Sequence, residues 1–270
     1  MAGHGEFCRR LPSSPMNDTS QQDLGGDAAQ VAANPFPRAR RAEALSGNLG
    51  PGGLVWYAAY GSNMHADRLA HYIAGGRPPG GARTYPGCRD RRLPEKTIPV
   101  LLPGQLYFAL ESLVWTGGMG FYDPSHAGEM PARAYLITAG QFSDIAAQEM
   151  HQVPGTNLDL TRALTSGRDQ LGPGRYETLI CPGAIDGIPV YTFTAPWALD
   201  DAELNPPSAA YLRNFASGLA EAHGWSLEQS AEYLSSRPGA TSRWTASAVL
   251  TALRGAEEGG GSSAIATLPM

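Results

Sequence analysis

The sequence predicts an α+β fold, on three observations. An aromatic and aliphatic run, Leu54–Tyr60 (LVWYAAY), opens the folded unit as a buried strand. Further strand-like runs follow at 106–114, 132–137, 178–181 and 189–194. Three helical stretches, each led by a serine, then close the unit: Ser208–His223, Ser226–Ser235 and Ser242–Leu253. Strands first and helices last point to α+β rather than to a doubly wound sheet.

Residues 1–52 mix Gly, Ser, Asn, Gln, Pro and Arg without an apolar period, which predicts a disordered N-terminal tail. Arg38, Arg40 and Arg41 cluster near its end, either as a binding or targeting arm or as solvated charge. The folded unit runs from about 54 to 254. Residues 255–270, with Gly259–Gly260–Gly261–Ser262–Ser263, have the composition of a flexible tail. Within the unit, Gly61, Ser62 and Asn63 form a turn after the first strand. Ser62 or Asn63 is expected to cap a helix reaching Ala74, with Gly75 at its C-terminal end. The segment 78–87 reads as loop. Ser143 is expected to cap a short helix ending at Glu149. The strands at 178–181 and 189–194 read as a hairpin around Asp186–Gly187, with a connection longer than a minimal turn. Ser226 and Gln229 make a capping box.

Composition narrows the function. The chain has 270 residues, 33 Gly and 22 Pro, so part of its length is loop or tail. A net charge of -5 argues against a general nucleic-acid binder, which carries a basic face. Lys96 is the only lysine, a matter of composition rather than function. Cys8, Cys88 and Cys181 are widely spaced, with no C-x-x-C pair for a zinc ribbon or redox motif, and they fit a reducing cytoplasm. No apolar run approaches the roughly 18 residues of a membrane span, and no h-region marks a secretory signal. His65, His71, His126, His151 and His223 show no tight metal-ligand spacing.

The segment Tyr57-Ala-Ala-Tyr60-Gly61-Ser62-Asn63 carries the sharpest chemical signal. A strand runs through a glycine into a helix start, whose free N–H groups suit an anion or a developing oxyanion. It is not a P-loop or a complete G-x-G-x-x-G. On residues alone it is either a small-ligand cradle or an ordinary strand–turn–helix joint. Glu149 is likewise either a solvated helix residue or a functional carboxylate. Glu129 and Asp144 are weaker acidic candidates.

Tyr-x-x-Tyr-Gly-Ser-Asn followed by Met64 resembles the signature of the γ-glutamyl cyclotransferase family. In order after it, Trp115-Thr116-Gly117-Gly118 resembles that family's Trp-x-Gly-Gly segment. The strand ending Ala132–Ile137 follows, then a short helix with Gln148-Glu149 where the family places its catalytic glutamate. Residues 207–234 resemble its paired closing helices, so the likeness covers about 54–235. It departs at Met150, where the family has glycine, and Gly155 comes later, after Pro154.

The resemblance implies a mixed β-barrel flanked by helices. It implies release of 5-oxoproline from a small γ-glutamyl substrate, without metal or organic cofactor. Glu149 is then the general acid/base, and Tyr60, Gly61, Ser62, Asn63 and Met64 bind substrate. Trp115, Gly117, Gly118 and Tyr191 are possible pocket residues. Two rivals stand beside this reading: an amide hydrolase or deacylase on the same scaffold, and a non-catalytic binding module. The hydrolase lacks a G-x-S-x-G elbow and a zinc set. The leaving-group pocket is expected in the loops 78–104 and 157–176.

Overall fold

The computed structural model describes residues 50–77, 84–112 and 115–255. The expected tails, with the Arg38–Arg41 cluster and Cys8, lie outside these residues except at 50–52 and 255, as do 78–83 of the expected loop and 113–114 of an expected strand.

The order of elements is β1 (Leu54–Ala59), α1 (Ala66–Ala74), β2 (Thr97–Pro103), β3 (Gln105–Ala109), β4 (Met119–Asp123), β5 (Glu129–Thr138), α2 (Ala139–Glu149), α3 (Thr161–Ser166), β6 (Arg168–Gln170), β7 (Thr178–Ile185), β8 (Ile188–Thr194), α4 (Ala209–His223), α5 (Leu227–Ser235) and α6 (Ala246–Arg254). Six strands form one mixed sheet in the order β2-β5-β1-β8-β7-β6, with β1 parallel to β8 and antiparallel to β5. β3 and β4 pair separately. The α+β expectation therefore holds, but the sheet is open rather than a closed barrel. β2 forms one edge and carries Pro99 and Pro103, residues that cannot serve a central ladder. The three-residue β6 forms the other edge. β4 meets the end of β8 through a side chain instead of a ladder: Tyr122 N–H donates to Thr194 Oγ1, which donates to Tyr122 O.

β1 is buried on both faces, as its continuous apolar run requires. Trp56 and Ala58 face a core completed by Leu212, Phe215 and Leu219 of α4 and by α5 and α6. Val55, Tyr57 and Ala59 face the opposite core, with Leu69 and Ile73 of α1 and Phe142 and Ile145 of α2. Helices thus cover both faces, and the strand end between them opens at the Tyr60–Asn63 turn.

Local chemistry corrects several expectations. α2 starts at Ala139 because Thr138 and Gln141 form its capping box. Ser143 lies inside the helix and donates back to Ala139 O at 2.8 Å. The turn Ser62–Met64 is a separate 3-10 segment, and α1 begins after His65 without a side-chain cap. α6 is capped by Thr245 rather than by Ser242. Asp186 and Gly187, both at positive φ (52° and 76°), make a two-residue turn, shorter than expected, which lets β7 and β8 extend to Ile185 and Ile188. β2, β4, α3 and β6 lie in segments with no expected element. No helix among the described residues is long and apolar enough to cross a membrane.

Candidate active site

The chain leaves β1 at Tyr60 and turns through Gly61 into Ser62–Met64. The first hydrogen bond of this turn is Met64 N–H to Gly61 O at 3.0 Å, so the N–H groups of Ser62 and Asn63 precede it and have no partner within the turn. Gly61 has φ -113° and ψ -140°. What glycine provides here is bare backbone, because a Cβ would project toward the Tyr211 hydroxyl 3.9 Å away.

The turn is held from behind. Tyr135 OH donates to Asn63 O at 2.9 Å, and Arg133 Nη1 donates to Met64 O at 2.8 Å. Arg133 also pairs with Glu221 on α4. The Glu221 carboxylate in turn accepts from Ala66 N–H at 3.2 Å and meets His65 Nδ1 at 3.0 Å. The strand β5 and the helix α4 therefore fix the backbone that presents Asn63.

Asn63 is 4% exposed. Its Nδ2 donates to Glu149 Oε1 at 2.9 Å and to the Tyr57 hydroxyl at 3.3 Å. Its Oδ1 is buried with no partner among the described residues. Glu149 is the last residue of α2, a place where the helix dipole does not favour a carboxylate. Gln148 positions that end of α2 by donating from Nε2 to Tyr72 O of α1 at 2.9 Å. One turn earlier, buried Asp144 accepts from Arg89 N–H and Nε at 2.9 and 3.0 Å. Arg89 also reaches Gly155 O and Asn157, tying down the loop that follows α2. Asp144 is thus a structural anchor, and Glu129 is an exposed residue at the start of β5.

Tyr57, Tyr60, Gly61, Ser62, Asn63, Gly120, Glu149, Tyr176, Phe193 and Tyr211 line one cleft of about 60 Å³. Of the residues expected there, Tyr60, Gly61, Ser62, Asn63 and Glu149 come together. Tyr60 is anchored through its hydroxyl, which donates to Phe193 O at 3.0 Å. Burial, then the charge of Glu149, pushes the Tyr57 hydroxyl pKa well above its usual range. Burial pushes that of Tyr211 up to about 12. These phenols stay protonated around the carboxylate and remain hydrogen-bond donors.

Five candidate residues lie elsewhere. Met64 is fully buried in the core, against Gly218. Tyr191 is fully buried and donates to Leu160 O at 3.3 Å. Gly117 and Gly118 pack against the 205–208 backbone, where a Cβ on Gly118 would collide with the Asn205 carbonyl. Trp115 stands one layer back, stacked on Tyr211 at 5.3 Å. Tyr57, Gly120, Tyr176, Phe193 and Tyr211 were missed as lining residues. Only Tyr57 had a sequence signal, as the first aromatic of the turn motif.

No family model matches the chain. Histone deacetylase 5 of Arabidopsis thaliana is 30% identical over 202 residues, 67% of this chain. The chain spans about 30% of the length of that curated relative. A solved structure described as gamma-glutamyl cyclotransferase is similar at TM-score 0.40 and 17% identity, covering 68% of this chain and 89% of that one. An uncharacterized protein from Homo sapiens is similar at TM-score 0.39 and 16% identity, with the same two coverages of 68% and 89%. YkqA from Bacillus subtilis is similar at TM-score 0.32 and 16% identity, covering 68% of this chain and 55% of that one. Among the described residues, no group of three or more His, Cys, Asp or Glu is placed to hold a metal ion.

Proposed function

We propose that the chain releases 5-oxoproline from a small γ-glutamyl compound, with Glu149 as general acid/base. The observation that carries this reading is the 2.9 Å hydrogen bond from Asn63 Nδ2 to Glu149 Oε1, between residues 86 positions apart in the sequence. It puts a carboxylate beside a turn whose Ser62 and Asn63 N–H groups lack partners within it.

Glu149 takes a proton from the substrate's α-ammonium, freeing the nitrogen lone pair. That nitrogen bonds to the γ-carbonyl carbon, and the carbonyl oxygen gathers negative charge toward the N–H groups of Ser62 and Asn63. The amide C–N bond then breaks as the leaving nitrogen takes the proton back from Glu149, and the attacking nitrogen gives up the second proton, which the lactam does not keep, through Glu149 to the departing amine. The products are 5-oxoproline and a free amine. Attack within one molecule makes positioning the main task, which suits a cleft fixed from two sides.

The same carboxylate beside the same turn admits a second reading, hydrolysis of the amide. In this cleft it would use Glu149 to activate water, and a γ-glutamyl substrate would then yield glutamate.

The test is product analysis with glutathione, γ-glutamyl amino acids and γ-glutamyl amines, for wild type and Glu149→Gln. Release of 5-oxoproline by wild type alone supports the proposal. Glutamate as the sole product moves the assignment to hydrolysis, and equal release by the folded variant removes Glu149 as the base.

A further inference from the structure

Beside the Glu149 cleft lies a larger one, of about 530 Å³, lined by Leu110, Glu111, Arg175, Glu203, Leu204 and Asn205. The two share a partition. Arg175 is followed in the chain by Tyr176, which lines the smaller cleft. Arg175 Nη1 lies 3.5 Å from Met119 Sδ, and Met119 is followed by Gly120, which also lines the smaller cleft. Tyr176 OH donates to Gly120 O at 3.4 Å across the partition. At about 60 Å³ the smaller cleft takes a reacting amide and little more, so the rest of a substrate has to extend beyond it.

The charged groups of the larger cleft are not equivalent. Glu111 is committed: its Oε1 accepts from Gly117 N–H at 2.6 Å and its Oε2 from Asn205 Nδ2 at 2.8 Å. The Gly117 N–H, then the Asn205 amide, holds its carboxyl below the usual range. Glu203 is an exposed residue of the rim. Among the described residues Arg175 has a thioether sulfur for a partner and no carboxylate. Sulfur is a weak acceptor, which leaves a planar, permanently charged fork of donors nearest the partition. Leu110 and Leu204 add apolar surface beside it.

We infer that the larger cleft is the leaving-group subsite and that Arg175 binds a carboxylate on the departing amine. The preferred substrates are then γ-glutamyl amino acids or short γ-glutamyl peptides with a free carboxylate, over γ-glutamyl amines without one. This inference rests on the cyclotransferase reading for its chemistry but not for its binding.

γ-Glutamylalanine and γ-glutamylethylamide form the discriminating pair, because their leaving amines differ only by a carboxylate. The kcat/KM ratio for 5-oxoproline release is expected to favour γ-glutamylalanine. It should fall about tenfold in Arg175→Gln, the worth of a hydrogen bond to a charged group, and recover in part in Arg175→Lys. An unchanged ratio in Arg175→Gln overturns the inference. Calorimetric binding of both compounds to Glu149→Gln reads the subsite without turnover. Tighter binding of γ-glutamylalanine, lost when Arg175→Gln is added, supports the subsite even if wild type releases no 5-oxoproline, an outcome that defeats the cyclotransferase reading alone. Equal binding of the two compounds, or binding of neither, overturns it.

Discussion

Asn63 and Glu149 are joined by a 2.9 Å hydrogen bond that brings the start of the domain to the C-terminal end of α2. The amide that orients the carboxylate also donates to Tyr57 at 3.3 Å, so one side chain sets the position of two others. Asn63→Ala removes a bond to a charged acceptor and should lower kcat for 5-oxoproline release by about ten- to hundredfold. Asn63→Asp should lower it further, because it replaces a donor with a second negative charge. Steady-state kinetics on the two variants checks this; equal activity of Asn63→Asp and wild type would show that the bond does not position the base.

Gly61 and Gly118 both belong to the resembling motifs, yet the structure separates their roles. At Gly61 there is room for a Cβ, which would stop 3.9 Å from Tyr211 OH. Gly61→Ala should therefore cost less stability than Gly118→Ala and raise KM by narrowing the cleft. At Gly118 an added Cβ would strike the Asn205 carbonyl, a backbone atom that cannot rotate away. Gly118→Ala should cost about 3 kcal/mol. Urea unfolding and KM, measured on both variants, check the contrast.

These two glycines show why the sequence was legible in part. The residues of the Tyr60–Asn63 turn and Glu149 left two readings open; it was the resemblance, with its motifs in a fixed order, that singled them out, and they line one cleft. Met64, Gly117 and Gly118 occur in the same motifs but serve packing, and a motif does not separate contact with ligand from contact with backbone. Tyr176, Phe193 and Tyr211 come from a loop, a strand and a helix. Their convergence is a tertiary fact without a local pattern. The fold was legible where caps and periodicity agree, as in α4 and α5. It was not legible at β2, where two prolines mask an edge strand, or at Thr138, where the capping box lies upstream of the more conspicuous Ser143.

Tyr191, read from the sequence as either a pocket residue or a core aromatic, lies in the core, where its hydroxyl serves Leu160 O. Tyr191→Phe removes one of the two donors to that carbonyl, which keeps the Leu164 N–H at 3.0 Å, and should cost about 0.5 to 1.5 kcal/mol. kcat and KM should not change. Denaturation and kinetics on one preparation test both halves, and a kinetic effect at wild-type stability would return Tyr191 to the site.

His223 makes the stability of the fold depend on pH. It is 8% exposed, with Nε2 donating to Ala132 O at 3.0 Å. Burial lowers its pKa from 6.5 to about 4. Between those values the unfolded chain binds a proton that the folded chain refuses, so the unfolded state holds more protons. The stability this histidine contributes is complete above pH 6.5 and is lost as pH falls toward 4. The displacement corresponds to about 3 kcal/mol. Because carboxylates titrate over part of the same range, the measurement is a difference: His223→Gln should show a shallower loss of urea-unfolding free energy than wild type from pH 7 to 4. Parallel curves would mean that the ring is protonated in the folded protein without penalty.

The Asp144–Arg89 pair tests whether the scaffold behind Glu149 matters more to stability or to chemistry. The Asp144 side chain is 1% exposed and that of Arg89 is 43% exposed, so the pair is buried on one side only. Arg89→Ala leaves a carboxylate in the interior without its cation and also frees the contacts to Gly155 and Asn157. Breaking a fully buried pair costs about 3 to 5 kcal/mol, and solvent on the arginine side reduces this to about 2 to 3. Asp144→Asn should cost less, since a neutral amide still accepts from Arg89 N–H. If α2 is held chiefly by its packing against α1 and β1, both variants lose stability while kcat for 5-oxoproline release stays within about threefold of wild type, a barrier change below 1 kcal/mol. If Arg89→Ala instead lowers kcat by more than tenfold at temperatures where it remains folded, the loop after α2 is setting the position of Glu149, and the site extends to the residues that clamp that loop.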